Sequence, residues 1–402
     1  MLQLLRSNRD IRLLFIAQVI SFMGDWFAFV AVAGLVDDAT GSELLVALVM
    51  VAFSLPSFLF SPLGGSVADR FDRRRVLVAV SGMQAVAALG LLLGTTEHVW
   101  VVFVFQASIS ALAAFVKPAV DAAVPNLARS PEELRTAAAL LGATWGVMLA
   151  VGAAIGGVFS EVFGRTACFI ANAVSFVVAG VLFALIRTRM QTHEVGASRQ
   201  PMRPVADMAE AVRFARRDPV VLALMASKST FAIGAGVVSQ LAVLAGDVFN
   251  TGDGGRGLLI GARGVGVGLG PIVAMRFARG DIRRILLVCG TAGVAYSVLY
   301  VGAAWAPTIG VCAVLVALAH LGGGSQWTLS TYGLQIRTPD DVRGRVMAGD
   351  FAIVTLVISL SSIATGLLSE AVGVRVAMTV GAGAAGVAGV LYLVLTAGLR
   401  RA

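Results

Sequence analysis

Arg70-Phe71-Asp72-Arg73-Arg74-Arg75-Val76-Leu77 returns 209 residues later as Arg279-Gly280-Asp281-Ile282-Arg283-Arg284-Ile285-Leu286. Each copy is a basic junction between apolar runs of about 20 residues, the length needed to cross a bilayer as a helix. Three further junctions keep the register. Arg9-Asp10 matches Arg217-Asp218, Pro131-Glu132-Glu133-Leu134-Arg135 matches Pro339-Asp340-Asp341-Val342-Arg343, and Ser160-Glu161 matches Ser369-Glu370, all at offsets of 208 or 209. One charged junction arises easily by chance; four in register point to duplication. The chain therefore reads as two similar units in one orientation.

The apolar runs number twelve: 11–36, 43–64, 75–95, 99–123, 138–160, 166–186, 220–246, 257–278, 285–305, 309–335, 346–369 and 375–398. Hydrophobic residues make up 58% of the 402 and charged residues 13%, far from the composition of a soluble domain. The runs are continuous rather than alternating, so the spans are helices and not barrel strands. The reading is an all-α integral membrane protein with twelve transmembrane helices in two six-helix pseudo-symmetric halves. The halves are 1–186 and 220–402, joined by a polar, Arg-rich loop at 187–219. Within that loop Val205, Met208, Val212 and Ala215 recur at helical spacing and suit a surface or connector helix. The N-terminus lacks the short apolar region and cleavage site of a secretory leader, so the first run is expected to remain as a helix.

The formal charge is +8. In a soluble protein this would suggest nucleic acid, but here the charge follows topology. With the N-terminus inside, 25 of the 31 basic residues fall in inward segments; three, Arg165, Arg256 and Arg375, lie in outward loops. That bias predicts both termini in the cytoplasm, in a cell membrane, with lipid and not nucleic acid as the surrounding partner. Cys168, Cys289 and Cys312 all lie in spans without metal-type spacing.

Charges inside a span are costly and mark candidate sites. Asp25 lies near the centre of the first span. Gln18, Phe22, Asp25 and Phe29 step by four, three and four along one face, as the wall of a cavity for amphipathic solutes would. A carboxylate there is costly unless protonated or paired, which suits a proton carrier; a structural ion pair is the alternative. Arg263, amid Gly261, Gly264, Gly266, Gly268 and Gly270, can hold an anionic substrate group or neutralise Asp25 or another acid. Lys228 can snorkel or line the cavity. His320 titrates in the physiological range or serves as a hydrogen-bonded core residue, with Trp327 seven residues on along its face. The glycines after Arg263 follow no strand, so they read as helix packing rather than a nucleotide loop.

The loop Gly65-Ser66-Val67-Ala68-Asp69-Arg70-Phe71-Asp72-Arg73-Arg74 resembles the signature of the major facilitator superfamily. The first half resembles the branch holding the enterobactin exporter and the macrolide efflux pumps. Asn8-Arg9-Asp10, Gly24-Asp25 and Val342-Arg343-Gly344-Arg345-Val346-Met347 add to that resemblance. It implies that Gly65, Asp69, Arg70, Arg73 and Arg74 form a cytoplasmic latch between the halves, with Arg73 paired to Asp121. Two departures stand out. Asp72 replaces a frequent glycine, and Gly152-Ala153-Ala154-Ile155-Gly156-Gly157 lacks the proline common in antiporters. Gly146, Gly152, Gly156 and Gly157 still permit close helix packing.

No phosphate loop, metal cluster or nucleophile–base pair is visible, so no cofactor, no metal and no enzyme activity are expected. The resulting expectation is a monomeric secondary transporter using alternating access, with a site between parallel repeats. The resemblance implies export of a small amphipathic cargo, such as a drug, a macrolide-like compound or a siderophore, driven by protons. Uptake or facilitated diffusion of a metabolite, lipid movement and membrane sensing remain open alternatives.

Overall fold

The computed structural model describes residues 2–191, 213–278, 281–338 and 340–401. Twelve helices are long and apolar enough to cross a membrane, and no strand occurs among the described residues. They hold α1 (Arg9–Thr40), α2 (Glu43–Arg70), α3 (Arg73–Gly90), α4 (Trp100–Leu127), α5 (Pro131–Phe163), α6 (Arg165–Ala184), α7 (Pro219–Ile233, the first part of the span Pro219–Val248), α8 (Asp253–Ala278), α9 (Ile282–Ala304), α10 (Ile309–Arg337), α11 (Asp340–Val372) and α12 (Val374–Leu395). The expected connector-helix positions Val205, Met208 and Val212 lie outside the described residues.

Several helices run past their apolar cores because polar residues cap them. Ser130 Oγ accepts the Glu133 amide at 3.2 Å, so α5 begins seven residues before its apolar run. Asp72 and Asp281 play one role in both copies of the basic junction. Each carboxylate accepts a first-turn amide, Arg75 N and Arg283 N, both at 2.9 Å. That explains an aspartate where the resembled family often has glycine. Gly164 and Gly373 take the same left-handed backbone, φ +82°, between α5 and α6 and between α11 and α12. Their amides return to Ser160 O and Ser369 O, so the repeat is written in the backbone as well as in the charges.

The seventh span is broken. After Ile233 it continues through Gly236–Ser239 and Leu241–Val243 into a π-helical turn, Leu244–Val248. Ser361 of α11 meets the backbone groups freed at the break: its Oγ accepts Gly236 N at 2.9 Å and donates to Ile233 O at 2.6 Å. Such repair lets an interrupted helix persist inside a membrane.

Two compact units divide the chain. The first holds residues 1–40 and 52–202, the second 41–51 and 203–402. The opening residues of α2 thus pack within the second unit, where Gly366 of α11 leaves room for Leu44 and Ala47. In the first unit, glycines set the contact of α1 with α5 and α6. A Cβ on Gly24 would overlap Ser175 and Asn172, and one on Gly156 would reach 3.0 Å from Phe27 Cα. Gly152 abuts Trp26, and Gly157 is also buried. In the second unit, Gly266 and Gly270 bring α8 onto the backbone of α10 at Ala317 and Leu321, whereas Gly268 faces open space.

Candidate functional site

In the first unit, Asp25 stands half-way along α1. Gln18 and Phe29 are buried and Phe22 and Asp25 half-buried on the same face. Phe29 packs edge-on to Trp26 and Phe53 at 5.5 and 5.1 Å between centroids. The Asp25 carboxylate makes no hydrogen bond or ion pair with any described residue. A carboxylate deep in a helix bundle without a partner is tolerated only where water or a ligand can reach it or a proton neutralises it.

At the end of this unit that α2 reaches at Arg70, the side chains of Gly65, Asp69 and Arg70 lie outside the described residues. Arg73 donates from Nη1 to Ala122 O at 2.7 Å and Met190 O at 2.9 Å, and from Nε to Ala68 O at 3.1 Å. Arg74 reaches the carbonyls of Arg187 and Thr188. The expected pairing of Arg73 with Asp121 is not formed. Asp121 instead takes Lys117 at 2.6 Å, one helical turn back on an exposed face, while Arg73 binds the carbonyl of the residue after it. Spacing along α4 placed Asp121 within reach but did not fix which way it points.

The Asn8-Arg9-Asp10 segment braces the same end. Asn8 caps Ile11 N at 3.1 Å and donates to Leu127 O and Glu133 Oε2, both at 2.9 Å. Asp10 accepts Thr188 N at 2.9 Å and Thr188 Oγ1 at 2.6 Å. The Arg129 amide and Asn8 hold the Glu133 carboxyl below the usual carboxylate range. The repeat-related Asp218 similarly caps α7 and takes Arg337 Nε at 2.7 Å.

The second unit carries two polar clusters. In one, Lys228 of α7 pairs with Asp350 of α11; the side chains are 3% and 2% exposed. Lys228 Nζ also donates to Thr331 Oγ1 at 2.9 Å and lies 5.0 Å from the Trp327 ring. Lys228 therefore does not snorkel. Asp350 and Thr331 escaped the sequence reading, although an acid four residues inside an apolar run was a usable signal. Asp350 Oδ1 has no hydrogen-bond partner among the described residues.

In the other cluster, His320 Nε2 and Tyr300 Oη share a hydrogen at 2.8 Å. Tyr296, Tyr300 and Phe231 surround the imidazole edge-on, with centroids 5.6 to 5.9 Å away. His320 and Trp327, expected on one face, thus serve different clusters. Tyr296 and Tyr300 were also missed; their four-residue spacing on one helix was the available clue. Arg263 of α8 lies within electrostatic reach of both tyrosines and of His320. Among the described residues, no group of three or more His, Cys, Asp or Glu side chains is placed to hold a metal.

Known proteins agree with this architecture. A family model described as transmembrane secretion effector matches residues 5–401. An uncharacterised MFS-type transporter of Bacillus subtilis (strain 168), YfiS, is 24% identical over 386 residues, covering 94% of this chain and 91% of that one. Among solved structures, a POT family transporter in complex with a thioalcohol-conjugated peptide aligns with a TM-score of 0.77 at 10% identity, covering 97% and 96% of the two chains. A bacterial homologue of the human lysosomal transporter Spinster aligns at 0.71 and 15% identity, covering 98% and 95%. At such identities the structures speak for the fold. The family match spans nearly the whole chain, and the protein belongs to the transmembrane secretion effector family of major facilitator membrane transporters.

Proposed function

We propose that the protein is a secondary active transporter that exports a small amphipathic compound in exchange for protons by alternating access. Its halves are 1–186 and 220–402, both termini face the cytoplasm, and the monomer is the working unit. The drug, macrolide-like or siderophore character of the cargo follows from the resemblance of the first half to those exporters. The observation that carries the reading is Asp25, a mid-helix carboxylate on an aromatic face with no partner among the described residues. A group whose charge is costly there, yet which a proton neutralises, lets proton binding bias which side the site faces. Gln18, Phe22 and Phe29 supply the polar and aromatic wall. Gly65, Asp69, Arg70, Arg73 and Arg74 form the cytoplasmic latch.

The test uses proteoliposomes with an imposed pH gradient and an internal pH-sensitive dye, comparing wild type with Asp25→Asn and Asp350→Asn. Cargo-dependent proton movement that vanishes only in Asp25→Asn is expected. Coupling that survives Asp25→Asn and dies in Asp350→Asn transfers the carrier role to the second unit. Cargo movement without protons defeats proton coupling and makes a facilitator or another coupling ion the better account.

A further inference from the structure

Among the described residues of the second unit, the fully buried basic side chains are matched to acids. Lys228 has Asp350, and Arg256 has Asp253 at 2.9 Å. Arg263, half-buried on α8, is different. It makes no hydrogen bond and no ion pair with any described residue, and its Nε is sealed from solvent. Its position rules out escape to a membrane surface, because it lies ten residues, about 15 Å, into α8. Lipid is not its environment either. Leu258, Val265, Leu269 and Ile272 are exposed and mark the lipid side; Arg263 projects roughly 150° around the helix from them. It shares the inward side with the buried Leu259 and Ile260 and with Gly266 and Gly270, which abut α10.

The surroundings point to what would occupy the guanidinium. Tyr296, Tyr300 and His320 are almost wholly buried beside it, with Phe231 against the imidazole. These groups offer hydroxyl and imidazole hydrogen-bonding and aromatic walls; no carboxylate is among them. A guanidinium presents five N–H donors in a planar fork that matches carboxylate, sulfonate or phosphate oxygens. With no hydrogen-bond or ion-pair partner among the described residues, this fork is open to an acid from outside the chain.

We propose that Arg263, beside the Tyr300–His320 pair, seats the acidic head group of the transported compound, whose class is therefore an amphipathic organic anion with an aromatic or alkyl body. This rests on the transport reading above and narrows its cargo.

The experiment takes purified full-length protein in nanodiscs of phosphatidylcholine alone. The probes are matched sets sharing naphthyl or alkyl tails and bearing a carboxylate, sulfonate or phosphate, a neutral amide, or a trimethylammonium head. Thermal stabilisation and intrinsic fluorescence report binding, and flux of the same compounds is followed in proteoliposomes. Anionic members should bind wild type at least about thirtyfold more tightly than Arg263→Gln, the loss expected when one partner of a buried charge pair is removed. Arg263→Lys should keep the anion preference at reduced affinity, because the charge stays and the fork goes. The two variants together separate recognition from misfolding.

Equal binding of neutral or cationic members, or anion binding unchanged in Arg263→Gln, overturns the inference while leaving transport intact. Anion binding without flux of any compound defeats the transport reading and leaves the anion seat standing. Failure of every anion to bind in preference to its neutral match overturns the seat. So does protection that needs anionic lipid in the nanodisc, because a headgroup is then the occupant.

Discussion

Replacing Lys228 by methionine strands the Asp350 carboxylate at 2% exposure, with one oxygen already lacking a hydrogen-bond partner. Two unit charges about 4 Å apart attract by roughly 4 kcal/mol at an effective dielectric constant near 20. Lys228→Met also removes the bond to Thr331 and the 5.0 Å cation–ring contact with Trp327. Breaking a buried pair from one side typically costs about 3–5 kcal/mol, whereas replacing both members with apolar side chains is often neutral. The expectation is therefore a loss of about 3–5 kcal/mol in Lys228→Met and in Asp350→Leu separately. The double variant should lie within about 1 kcal/mol of wild type. For a unit of some 200 residues this is a fall in Tm of roughly 6–20 °C in each single variant and near recovery in the double. The assay is thermal unfolding of the four proteins in one detergent, followed by circular dichroism, with the coupling taken from the cycle. If the single variants melt within 2 °C of wild type, or the double loses the sum of the singles, the buried-pair reasoning is refuted.

Gly24→Ala should destabilise the protein by about 1–3 kcal/mol, because the new Cβ overlaps Ser175 and Asn172; Gly268→Ala, facing open space, should be silent in the same melt. The Glu133 brace carries a pH signature. Its folded carboxyl is held below the ordinary value of 4.5, chiefly by the Arg129 amide and then by Asn8. The stabilisation is thus present above that value and lost as pH falls through the lower folded one. Hydrogen exchange of the amides of Asn8, Arg129 and Glu133 should accelerate, beyond its intrinsic pH trend, on passing from pH 6 to pH 3. Glu133→Gln should remove that transition, and its persistence in the variant would assign the acid response elsewhere.

The repeat, the span count and the fold class were open to sequence reading because each rests on local physics. A helix in hydrocarbon must bond its own backbone, so length and hydropathy suffice to find it. The recurring basic junctions and acids mark helix ends in both halves, as the shared caps at Asp72 and Asp281 show. Asp25, Arg263, Lys228 and His320 were likewise conspicuous, since charge and polarity inside a span are rare. Partnership was not legible. Lys228 and Asp350 stand 122 positions apart, and Tyr300 and His320 meet across two helices. Asp121 turned to Lys117 rather than Arg73. The break after Ile233 was hidden in a continuous apolar run, and its repair by Ser361 comes from another helix. The sequence alone determined which residues are costly in a membrane. Only the tertiary structure decided which of those costs are met inside the chain, because helix rotation, not spacing, sets which side chains face each other. Asp25 and Arg263 are left without partners among the described residues.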